Sequence, residues 1–121
     1  MTPKKAARAE IIAEVRSSLV DLAHIVAVDG ARLTVLVLPI FQPINAWKPE
    51  YHEYRRLILN LLESLHIRSF DLLEPLNEAL AAGVVVVETD DPLFWHPSRE
   101  ATAYFAKFLK TQHLLDGRDA P

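Results

Sequence analysis

One short stretch gathers most of the reactive chemistry in this sequence. Asp90-Asp91-Pro92-Leu93-Phe94-Trp95-His96-Pro97-Ser98 brings together two carboxylates, two aromatic rings and an imidazole. An imidazole that changes charge near neutral pH can take a proton from a hydroxyl and return it to a leaving group. A carboxylate on the far ring nitrogen would hold the tautomer this requires. Asp91 and Asp90 precede His96 by five and six residues, with Pro92 bending the chain between them. That spacing leaves open whether Asp91, Asp90 or neither orients the ring. The plainer alternative is a polar loop: a histidine satisfied by neighbouring backbone and two solvated acids.

A general base needs a nucleophile, and the sequence offers no obvious one. There are no cysteines, so disulfides, thiolate metal sites and cysteine nucleophiles are excluded. The three glycines, Gly30, Gly83 and Gly117, are not followed by Asp-Ser. Ser17, Ser18 and Ser64 fall in expected helices, Ser69 in an expected strand, and Ser98 at a helix cap. A base without a nucleophile and oxyanion donors does not give efficient acyl transfer. His24, His52, His66 and His113 are scattered, without the close helical pairing of a zinc motif, so no metal is expected. No glycine-rich phosphate loop exists, and no cofactor is expected. Phe94 and Trp95, like Phe41 and Trp47, fit either an acyl pocket or ordinary core packing.

The elements that would position these groups follow from the hydrophobic pattern. Thr2 caps a helix with Pro3 at its first position, where a missing N–H is harmless. Ile12, Val15, Leu19, Leu22 and Val26 recur at three- and four-residue steps as its inward stripe. Asp29-Gly30 ends that helix, with Gly30 suited to a left-handed terminal conformation. Leu33 to Leu38 is an uninterrupted β-favouring run closed by Pro39, which predicts a strand covered on both faces, as in a parallel sheet. The proline-rich stretch from Phe41 to Pro49 reads as the loop at the strand's C-terminal end, the edge where open α/β sheets bind ligands. A second helix is expected over Glu50 to Leu65, with Tyr54, Leu57, Ile58, Leu61, Leu62 and Leu65 inward. A strand follows over His66 to Leu72, then a short helix over Pro75 to Ala82 ended by Gly83. Val84 to Val87 reads as a further strand or a buried connector. Ser98 caps the last helix, whose buried stripe is Ala101, Phe105, Phe108 and Leu109.

This order gives an α/β fold with a short parallel sheet and flanking helices. Two or three strands make a thin sheet for helices of this length. The thinness predicts either self-association into a homo-oligomer or a missing N-terminal half of a larger domain.

In that order, Leu33 to Pro39, the long helix, Ile67 to Asp71, the short helix and His96-Pro97-Ser98 running into a helix resemble the C-terminal half of SGNH/GDSL-type esterases and acyl hydrolases. The resemblance covers about Ala31 to Leu115, and its most specific element is the His-Pro-Ser approach to the last helix. It implies a partial flavodoxin-like, three-layer fold and a serine hydrolase acting on an ester or acyl substrate. It also implies His96 as general base with an aspartate orienting it, for which Asp91 is the nearest acid upstream. The family commonly places that aspartate three residues before the histidine, where this chain has Leu93. The family's Gly-Asp-Ser nucleophile turn and its oxyanion-hole motifs do not occur here. Two function classes therefore stand. One is the histidine-bearing part of a hydrolase, inactive alone; the other is a non-catalytic α/β interaction module.

The bulk composition is compatible with either. At 121 residues the chain is the size of one domain, expected over 1–115, with a flexible tail over 116–121. The net charge of −3 provides no general attraction to nucleic acid. Lys4, Lys5 and Arg8 are followed at helical spacing by Glu10 and Glu14, the pattern of a solvated helix face. Prolines break the longest apolar run, so no membrane span is expected. Glu14 and Arg16 interrupt any signal-peptide core, which makes the cytoplasm the expected location.

Overall fold

The structure, a computed structural model, describes residues 2–89 and 96–114. The expected tail over 116–121 lies outside the described residues. The element order is α1 (Pro3–Val28), β1 (Thr34–Val37), a single 3-10 turn (Ile44–Ala46), α2 (Pro49–Ser64), β2 (Arg68–Asp71), α3 (Leu73–Ala81) and α4 (Arg99–Thr111). β1 and β2 pair as a two-stranded parallel sheet. The fold is thus α/β, and α2 is the crossover that two parallel strands require. Among the described residues, no helix is long and apolar enough to cross a membrane.

The chain divides into two compact units, Met1–Leu36 with Pro49–Ser69, and Val37–Lys48 with Phe70–Pro121. In the first unit α1 lies against α2. Thr2 caps α1, its hydroxyl accepting from the Lys5 amide at 3.3 Å, with Pro3 at the first helical position. Lys4 reaches Glu50 at 3.4 Å, and Arg8 pairs with Glu53. The stripe expected on α1 is half-buried at Ile12, Val15, Leu19 and Val26, but Leu22 is exposed and no residue of α1 is fully buried. Apolar residues occur all round this helix, so periodicity alone did not single out the face that finds a partner. In α2 the expected stripe holds, with Leu61 and Leu62 buried and Tyr54, Leu57, Ile58 and Leu65 half-buried.

The second unit holds the larger core. Leu72, Leu76, Ala79, Val86, Ala101 and Phe105 are buried together where α3 meets α4. Ala101 and Phe105, with Phe108 and Leu109 beside them, form the face expected of α4. The Val84–Val87 run forms a connector rather than a full strand. Val86 is buried, Val85 is exposed, and Val87 makes one antiparallel bridge to Pro97. The strand expected over Leu33 to Leu38 is shorter, and Leu36 and Leu38 are exposed rather than covered.

Among the described residues, all four α-helices end in one manner. Gly30, His66, Gly83 and His113 each adopt positive φ just past the helix. The following residue's amide then returns to a carbonyl five residues back: Ala31 to Val26, Ile67 to Leu62, Val84 to Ala79 and Leu114 to Leu109. These bonds satisfy carbonyls left open at a helix end, and each joins two apolar residues, as this type of cap favours.

Candidate functional site

His96 stands exposed two residues before Ser98, the N-cap of α4, and its backbone is tied on both sides. The Glu88 amide donates to the His96 carbonyl at 3.1 Å, and the Ser98 amide donates to the Val86 carbonyl at 2.8 Å. With the Val87–Pro97 bridge, these bonds make a short antiparallel clamp beneath the histidine. The clamp forms because Val86 is anchored in the core and Ser98 must reach its capping position.

Ser98 is buried and fully used. Its hydroxyl accepts from the Ala101 amide at 3.1 Å, and its carbonyl accepts from the Thr102 amide and hydroxyl at 2.9 Å each. This is helix capping with the side chain lodged in the core, where the hydroxyl would lack a partner without the helix N-terminus. Ser98 therefore fixes the approach to α4, and the imidazole next but one to it projects from an ordered support.

The same compact unit includes the C-terminal end of β1 and the loop after it. Pro39 is buried where the strand stops. The loop is internally braced: the buried Trp47 donates its indole N–H to the Gln42 carbonyl at 2.9 Å. Phe41 lies against Phe105 of α4, with ring centroids 6.3 Å apart and planes at 28°. Of the aromatics that fitted either a pocket or the core, Phe41 and Trp47 are thus packing residues. Phe94 and Trp95 lie outside the described residues. At the end of β2, Asp71 accepts from the Leu73 amide at 3.1 Å and so turns the chain into α3.

Asp91 and Asp90 also lie outside the described residues, so the geometry bears on His96 alone. The serines occupy the positions expected of them. Ser17 and Ser18 are exposed on α1, and Ser69 is half-buried in β2. Ser64 donates to the Leu61 carbonyl at 2.7 Å. Among the described residues, no group of three or more histidine, aspartate or glutamate side chains is placed to hold a metal ion.

Sequence reasoning missed the clamp. Its only trace there is the β-favouring Val84–Val87 run, and nothing local announces that Pro97 would be its partner. It also missed the left-handed His66 and His113, because histidine is not the residue that normally marks a helix end. No protein-family model, curated protein or solved structure matches the chain.

Proposed function

We propose that this chain is the histidine-bearing, C-terminal part of an SGNH/GDSL-type serine hydrolase that cleaves an ester or acyl substrate. The observation that supports this most is the placement of His96. It is exposed and held by a backbone clamp at the start of α4. It also shares a compact unit with the C-terminal end of β1, the edge at which α/β sheets bind ligands. In this role the imidazole takes the proton of a serine hydroxyl as its oxygen attacks the ester carbonyl. It then gives that proton to the departing alcohol, and water releases the acyl group by the same exchange. Asp91, or Asp90 in its place, would orient the ring. The serine and the oxyanion donors would come from polypeptide outside these 121 residues, completing the flavodoxin-like sheet of which β1 and β2 are a part.

Two observations test this in turn. The coding sequence upstream of Met1 should encode, in frame, a strand followed by Gly-Asp-Ser. That upstream polypeptide, added to the purified chain, should confer turnover of a short-chain aryl ester that neither has alone. Unrelated upstream sequence, or no turnover from the pair, would overturn the proposal.

A second role, that of a non-catalytic interaction module, is favoured by a different observation. α1 leaves Ile11, Leu22 and Ile25 exposed on one face, apolar surface that a partner would cover. Such a module would lack ester turnover with any upstream polypeptide and would bind through α1.

A further inference from the structure

The outward face of α1 has a pattern that is complementary to itself. Lys4, Ile11, Ser18 and Ile25 follow one another at seven-residue steps, and Leu22 and Asp29 lie on the same face four residues after Ser18 and Ile25. Seven-residue steps on a helix keep residues in one stripe. The stripe is basic at its start, apolar and small through its middle, and acidic at its end. It lies beside the half-buried stripe turned toward α2, yet Ile11, Leu22 and Ile25 are 53%, 44% and 60% exposed.

The charges at the ends of α1 also oppose its own dipole. Its first turn has no acidic residue and its last turn no basic one. Lys4 and Lys5 lie at the positive end, and Asp29 caps the negative end. A helix normally gains from the reverse arrangement. An antiparallel neighbour with the same sequence reverses it, by bringing Lys4 to the acidic, carbonyl-rich end of its partner. The existing Lys4–Glu50 pair does little to prevent this, because the Lys4 side chain is 72% exposed and exposed pairs are weak.

We infer that α1 is a homodimerisation helix that pairs antiparallel with α1 of a second copy. With the two-fold axis between Arg16 and Ser17, Lys4 faces the partner's Asp29, Ile11 the partner's Leu22, Ser18 the partner's half-buried Val15, and Ile25 the alkyl stem of the partner's Arg8, whose guanidinium stays with Glu53. Each contact then occurs twice, as a closed two-fold interface requires. Ser18, near the axis, lets the helices approach closely. This pairing is independent of the role of His96: it is read from mass, and the hydrolase from ester turnover.

The test is sedimentation velocity of the full chain over a range of concentrations at low salt. The unmodified chain should pass from monomer to dimer. Lys4→Glu and Asp29→Lys, each placing like charges together at both ends, should weaken the dimer roughly tenfold apiece. An equimolar mixture of the two variants should recover it, because every end-to-end contact in the mixed dimer is again of opposite charge. Both substitutions are at exposed positions, and circular dichroism would verify that the helix content is kept. A chain that remains monomeric throughout would overturn the inference. So would a dimer indifferent to both charge changes, which would assign association to another surface, such as an edge of the two-stranded sheet.

Discussion

The Glu88 amide and the His96 carbonyl meet at 3.1 Å, which ties an exposed histidine to a connector anchored in the core by Val86. The side chain of Glu88 takes no part in this bond. Glu88→Pro should therefore free the backbone at His96 by deleting one donor, while Glu88→Ala should not. Amide hydrogen exchange at Ser98, whose N–H donates to the Val86 carbonyl in the same clamp, would read the difference. Faster exchange there with Glu88→Pro and unchanged exchange with Glu88→Ala is the expected pair.

Ser98 should matter to stability through its hydroxyl. Ser98→Ala removes the acceptor for the Ala101 amide at a buried helix start and should cost about 1–2 kcal/mol in urea unfolding. A change within a few tenths would show that the cap is not needed to hold α4.

The left-handed helix ends make a two-sided prediction. A Cβ added at Gly83 would meet nothing within 4 Å, yet φ is +76°, so the strain on Gly83→Ala would lie in the backbone alone. That substitution should destabilise by about 1 kcal/mol. His66, at φ 55°, holds the same conformation with a side chain, and His66→Gly should stabilise by about 0.5–1 kcal/mol. Thermal or urea unfolding would show opposite signs for the two variants.

Burial separates neighbouring apolar residues of the second unit. Leu76 is fully buried, whereas Val85 is 73% exposed. Leu76→Ala should cost about 2–5 kcal/mol by leaving a cavity, and Val85→Ala should fall within about 0.5 kcal/mol of no change. Equal losses would contradict the position assigned to the core.

The sequence made the elements legible where local chemistry and periodicity agreed. Thr2-Pro3 and Ser98 announced helix starts, Gly30 and Gly83 announced helix ends, and the Ala101–Phe105 stripe announced the buried face of α4. It was misleading where apolarity was uninterrupted. Leu36 and Leu38 looked covered because continuous apolar runs usually are, and Leu22 looked inward because α1 is apolar on several sides. The clamp on His96 was illegible because a bridge between Val87 and Pro97 depends on where the core holds both ends of a loop. The role proposed for His96 was suggested by its neighbours in sequence, but its exposure and its fixed backbone came only from the fold.

The most direct measurement compares two versions of one protein, the chain joined to the polypeptide encoded immediately upstream, with and without His96→Ala. Hydrolysis of a short-chain p-nitrophenyl ester should proceed with the histidine and fall on the order of a thousandfold or more without it. Equal rates in the two proteins would contradict a general base at His96.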